Sequence, residues 1–132
     1  VRGIDDAAQV ALGMHHSCVL RRTGDVWCWG YNDRGQLGDG TRETRLVPTP
    51  VVALDDVVAL SAGREHTCAL RADGRVLCWG APHAYGVSAP VEEEGVFARE
   101  LRLPERAVEV LAASDYTCAR TREGRVYCTS LE

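Results

Sequence analysis

Cysteine recurs along this chain at a fixed step. Cys18, Cys68 and Cys118 are 50 residues apart, and Cys28, Cys78 and Cys128 repeat the same step. Aligning 9–30 with 59–80 gives ten identities in 22 positions, among them Gly13/Gly63, His16/His66, Leu20/Leu70, Gly24/Gly74, Val26/Val76, Trp29/Trp79 and Gly30/Gly80. Residues 109–130 share eight of 22 with 59–80. The chain is therefore internally triplicated, and whatever one unit folds into must stack against copies of itself.

Each unit reads as β-structure. In the second, the apolar run 57–62 is followed by two strand-like runs, His66–Arg71 and Arg75–Trp79, joined at Ala72, Asp73 and Gly74. Two such runs with a short Gly-ending loop make a hairpin. A period near 50 with regular turns favours an all-β propeller blade over a helical solenoid or βαβ units. The expected architecture is about three four-stranded antiparallel blades in an incomplete ring. The boundaries fall at about 1–53, 54–103 and a partial 104–132. The one doubtful stretch is 91–107, where Glu92–Glu94 and Phe97–Leu101 could wind into a helical turn or two.

The loop also sets the register. With Gly74 in the left-handed conformation, which costs Gly nothing sterically, strand partners sum to 146. Cys68 then faces Cys78, Leu70 faces Val76 and His66 faces Gly80; Gly24 and Gly124 impose the same pairing on Cys18–Cys28 and Cys118–Cys128. Six cysteines allow fifteen connectivities. This register selects one of them, with bridges Cys18–Cys28, Cys68–Cys78 and Cys118–Cys128, since opposed residues on antiparallel strands lie within disulfide range. Zinc needs closer ligand spacing than nine intervening residues provide. Disulfides imply an oxidising compartment.

Composition excludes several functions. All fifteen basic residues are Arg, they are interspersed with acids, and the net charge is −4, so no basic stripe offers itself to a nucleic-acid backbone. No apolar run is long enough to span a bilayer. Val1 and the Leu131–Glu132 end suggest a piece excised from a longer chain.

The string Gly63-Arg-Glu-His-Thr-Cys-Ala-Leu-Arg-Ala-Asp-Gly-Arg-Val-Leu-Cys-Trp-Gly80 resembles the regulator-of-chromosome-condensation repeat. So does Cys28-Trp-Gly-Tyr-Asn-Asp-Arg-Gly-Gln-Leu-Gly-Asp-Gly-Thr41, followed by Pro48 and Pro50. The resemblance covers most of 1–80 and 104–128. It implies a propeller of about seven four-stranded blades that engages protein partners through loops on one rim. The paired cysteines resemble the secreted bacterial branch, which implies an extracellular or cell-surface setting. The founding nuclear member promotes nucleotide exchange on a small GTPase and a secreted relative inhibits β-lactamases. Neither set of contact residues matches positions here. Two departures stand out: 81–103 lacks the Asn-x-x-Gly-Gln-Leu-Gly signature, and the third unit has Thr129-Ser130 where the others have Trp-Gly.

The remaining chemistry reads as structural. Asp33, Asp39 and Gly40 lack the spacing of a calcium loop, and no Gly-Lys-Ser/Thr follows the glycines to make a phosphate loop. His16 and His66 lack a recurring nucleophile and read as buried rings satisfied by backbone. Trp29 and Trp79 fall on the face opposite the cysteines, where they would pack blade against blade. No cofactor, metal ligand or catalytic residue is expected.

The reading is a non-enzymatic protein-binding or scaffold module. The alternatives are a structural spacer or self-assembling stalk, and a polysaccharide-acting enzyme. Variable loops on a repeat scaffold carry its contacts, which makes His83, Tyr85, Glu92, Glu93, Glu94 and Phe97 the candidate contact loop. Residues 1–10 read as the spare outer strand of a preceding unit, which predicts head-to-tail self-association with the third unit, closing into a ring or running on as a filament.

Overall fold

The computed structural model describes residues 4–81 and 96–129. Among the described residues eleven strands run in chain order: β1 (Ala7–Leu12), β2 (His16–Arg21), β3 (Val26–Gly30), β4 (Arg45–Pro50), β5 (Val57–Ala62), β6 (His66–Arg71), β7 (Val76–Gly80), β8 (Arg99–Leu101), β9 (Ala107–Ala113), β10 (Tyr116–Thr121) and β11 (Val126–Cys128). They form three antiparallel meanders, β1-β2-β3-β4, β5-β6-β7-β8 and β9-β10-β11. These are blades of a propeller, and the described residues do not by themselves close a ring.

The hairpin arithmetic governs every blade. In β6–β7 the partners are His66–Gly80, Thr67–Trp79, Cys68–Cys78, Ala69–Leu77 and Leu70–Val76, and β2–β3 repeats this 50 residues earlier. Gly24, Gly74 and Gly124 close the three turns at φ of +90°, +87° and +88°, a region that penalises any Cβ. The disulfides are Cys18–Cys28, Cys68–Cys78 and Cys118–Cys128. The outer strand β4 carries Pro48 and Pro50. Proline is tolerated there because an edge strand has no further ladder to feed.

Alternation along each strand gives a blade two packed faces. His16, Cys18, Leu20, Val26 and Cys28 point toward the following blade; Thr67, Ala69 and Trp79 of that blade point back. The resulting core joins Cys18, Leu20, Val26 and Cys28 to Val57, Leu60, Ala69 and Trp79. A second core joins Cys68, Leu70, Val76 and Cys78 to Ala107, Val110 and Ala119. The hydrophobic core therefore lies between blades rather than within them, which is why a single repeat could not fold alone. Trp79 is wholly buried, packed toward Gly38 and Val51 of blade one, whereas Trp29 is half-buried.

Two expectations are corrected. Residues 7–10 are not a spare outer strand: β1 pairs with β2 as the first strand of its own blade, and Asp6 is held by Arg21. The apolar run leading into His16 repeats that leading into His66, so it takes the same place. Within 91–107, residues 99–101 form β8 on β7 instead of a helical turn, because an open edge of β7 supplies backbone partners that a short helix would have to replace. Glu92, Glu93 and Glu94 lie outside the described residues.

Candidate functional site

The three first strands lie side by side. β1, β5 and β9 together wall a groove of about 450 Å³, bounded by 9–12, 59–62 and 108–111. Val10, Leu12, Val58, Val108 and Leu111 remain exposed. Side chains stitch the wall from blade to blade. The Gln9 amide donates from Nε2 to the Leu60 carbonyl at 2.8 Å and accepts from the Leu60 N–H at 2.9 Å, closing a two-bond bridge that imitates a strand pair. Ser61 Oγ accepts from the Ala112 N–H at 2.8 Å. Backbone bonds add to this: the Val57 N–H donates to Gly24 O, and the Ala107 N–H to Gly74 O.

Behind the wall, each histidine reaches the next blade. His16 Nε2 lies 2.8 Å from Thr67 Oγ1, and His66 Nε2 lies 3.0 Å from Thr117 Oγ1. Both rings are buried. The expectation that backbone would satisfy these rings is corrected at Nε2: a threonine hydroxyl meets it in each, because the ring points across the blade junction and the backbone of the next strand is occupied by its own ladder. Burial, with the charges of His66 and His15 adding, pushes His16 down to about 4. The ring is therefore neutral across the ordinary pH range and serves as a joint. The rings require glycine beneath them. A Cβ at Gly63 would lie 2.1 Å from His66 Cε1 and 2.3 Å from Ala113 O.

The glycine-rich segment after β3 is a closed polar knot. The Leu37 N–H donates to Asn32 Oδ1. Asp39 accepts from the Thr41 N–H, the Thr41 hydroxyl and Arg45 Nε at 2.7–3.0 Å. Burial pushes the Asp39 carboxyl up, but hydrogen bonds from Thr41 and Arg45 outweigh it and hold the group below the ordinary carboxylate range. Its oxygens are committed to protein donors. Among the described residues no cluster of three or more His, Cys, Asp or Glu could hold a metal.

The candidate contact loop is only partly in view. His83, Tyr85, Glu92, Glu93 and Glu94 lie outside the described residues. Phe97 is half-exposed, with its ring edge over Gly40, whose N–H donates to the Val96 carbonyl. The segment leading into β8 thus leans on the knot of blade one. Sequence reading missed Gln9, Thr67 and Thr117 as junction residues. No sequence signal marked them: each bond joins a residue to the neighbour of its own repeat equivalent, an offset of 51 that only the packed blades show.

Stacked antiparallel meanders with an inter-blade core define a β-propeller. The family follows from the comparisons. A model described as the regulator of chromosome condensation (RCC1) repeat matches residues 23–70, and a second of the same description matches 7–36 and 57–86. The chain belongs to the RCC1 repeat family. It is 52% identical over 48 residues to the E3 ubiquitin-protein ligase MYCBP2 of Danio rerio, covering 36% of this chain and 1% of that protein. It is 44% identical over 43 residues to the regulator of chromosome condensation of Drosophila melanogaster, covering 33% of this chain and 8% of that protein.

Among solved structures it resembles human WBSCR16, with a TM-score of 0.85 and 22% identity over 97% of this chain and 34% of that one. It also resembles yeast RCC1 (Prp20) bound to Kap60, with a TM-score of 0.78 and 27% identity over 97% of this chain and 31% of that one. The chain spans about a third of these solved chains and a tenth or less of the curated relatives it matches.

Proposed function

We propose that this chain is a non-enzymatic protein-binding part of an RCC1-type propeller that works in an oxidising, extracellular or cell-surface setting. The observation that carries the reading is that buried His16 and His66 are spent on joining blades. His16, His66, Gln9 and Ser61 hold the stack together, which leaves loops and rims for recognition. Yeast relatives are described in complex with Kap60, and with binding to Gsp1p and histones. Those partners belong to those proteins; the shared scaffold supports protein recognition as the class of activity here. The three disulfides support the compartment.

A nucleic-acid partner is disfavoured because the net charge is −4 and several arginines pair with carboxylates. Arg21 pairs with Asp6, Arg45 with Asp39, Arg120 with Glu109 and Arg125 with Glu105. The contact segment is assigned to 81–103, the stretch that departs from the repeat. The test is chemical cross-linking in the native secretion or surface fraction, comparing the protein with a variant carrying Tyr85→Ala, Glu93→Gln and Phe97→Ala. Loss of a defined cross-linked protein in the variant is expected. Retention of the same cross-links, or recovery of the native protein with six free thiols from a reducing compartment, would overturn the reading.

A further inference from the structure

At the first blade junction a side chain takes the place of a strand. Gln9 follows the bulge in β1 and turns its carboxamide onto the inner edge of β5, donating to the Leu60 carbonyl at 2.8 Å and accepting from the Leu60 N–H at 2.9 Å. Leu60 can receive it because of the ladder's alternation. The Gly63 N–H donates to His66 O across the β5–β6 turn, so the backbone groups of Ser61 point to β6 and those of Leu60 point away from it. A primary amide suits such a pair of groups because it donates and accepts along one edge.

The second junction has the same edge without the clasp. Val110 pairs with Ala119 as Leu60 pairs with Ala69. Ala112, two residues further along β9, sends its N–H out of the ladder to Ser61 Oγ at 2.8 Å. Alternation then turns the Val110 N–H and C=O the same way. The residue 51 positions before Val110, following the bulge in β5, is Ala59, where β1 has Gln9. Its methyl offers neither donor nor acceptor. The Ser61–Ala112 bond shows that the two blades have not drawn apart at this point. Ala59 and Val110 border the groove of about 450 Å³, and Val108, 41% exposed, borders it too. Both blades that form this junction are described, and any blade stacked before or after them meets other faces.

We infer that the gap between Ala59 and Val110 binds the carboxamide of an Asn or Gln side chain, carried by an extended segment of a protein partner that lies in the groove. The incoming amide donates to the Val110 carbonyl and accepts from the Val110 N–H, as Gln9 does at Leu60. An Asp or Glu in the same place fails, since a carboxylate cannot donate to the carbonyl and Glu109 already lines the groove. Val108 favours an aliphatic residue beside the amide. The site shares the protein-binding reading proposed above but not the segment 81–103, so either can fail alone.

The test is a titration of the whole chain, followed in amide proton–nitrogen correlation spectra, with the peptide acetyl-Val-Gln-Val-N-methylamide and, separately, acetyl-Val-Glu-Val-N-methylamide. The Val110 amide signal should move saturably with the Gln peptide and stay in place with the Glu peptide. Ala59→Gln supplies the clasp from within and should weaken the Gln peptide at least about tenfold, as the loss of two hydrogen bonds implies. Gln9→Ala opens the equivalent gap at the first junction, and the Leu60 amide should then respond to the Gln peptide. If Ala59→Gln does not fold, Gln9→Ala carries the test by itself. An unmoved Val110 signal, an equal response to both peptides, a response that survives Ala59→Gln, or a silent Leu60 in Gln9→Ala would each overturn the inference.

Discussion

Acidification should weaken this protein through His16 before any carboxylate takes part. The ring is 3% exposed, bonded to Thr67 across the first blade junction, and pushed from the ordinary 6.5 down to about 4 by burial. The unfolded chain accepts a proton at the ordinary value and the folded chain refuses it. The stability due to the neutral ring is therefore intact above pH 6.5 and is lost as pH falls toward 4. A gap of that size corresponds to about 3 kcal/mol when complete, of which about 2 kcal/mol is lost by pH 5. Asp6, Asp25, Asp39 and Asp73 all lie below their ordinary 3.8 in the folded state, so their contribution falls away only in stronger acid. The assay is urea unfolding at pH 7, 6 and 5 with a shared m-value, for the protein and for His16→Gln, which cannot titrate. The variant should lose distinctly less stability across that range. A His16 ring resonance titrating near 6.5, or equal slopes for the two proteins, would show that the joint is not a neutral buried imidazole.

Three other outcomes follow from the packing. Gly74→Ala should cost more than Gly124→Ala in chemical denaturation: both turns have positive φ, worth about 1 kcal/mol, but a Cβ at Gly74 would lie 2.6 Å from Arg106 Cβ while one at Gly124 meets nothing within 4 Å. Trp79→Ala should destabilise by about 3–5 kcal/mol, as expected for emptying a fully buried indole site, read as a shift in the urea midpoint. Mild reduction of the native protein followed by alkylation mapping should open Cys118–Cys128 first. Cys128 is exposed, whereas Cys18, Cys28, Cys68 and Cys78 are all 0% exposed, and thiolate attack needs access.

The hairpins were legible from the residues because their determinants are local. A three-residue loop ending in Gly admits one register, and that register brings Cys68 to Cys78 and His66 to Gly80 without reference to anything distant. The 50-residue step likewise reports duplication directly. The role of residues 7–10 was misread because strand order in a blade depends on which edge is open, and that is settled by the neighbours of the strand rather than by its composition. Residues 99–101 became β8 for the same reason.

What only the tertiary structure decided is how blade meets blade. The 51-residue offset exists because adjacent blades are rotated and shifted past each other, so a side chain reaches the neighbour of its equivalent. That displacement leaves no trace in a repeat alignment. The alignment marks His16 and His66 as repeated and treats Thr67 and Thr117 as mere strand residues. Only the packed stack shows that hydroxyl and imidazole share one buried bond, and that Gly63 is glycine because a ring lies where its Cβ would be. Local chemistry determined the turn, the register and the disulfide partners; the desolvation of polar groups at a junction between distant segments determined what those side chains do.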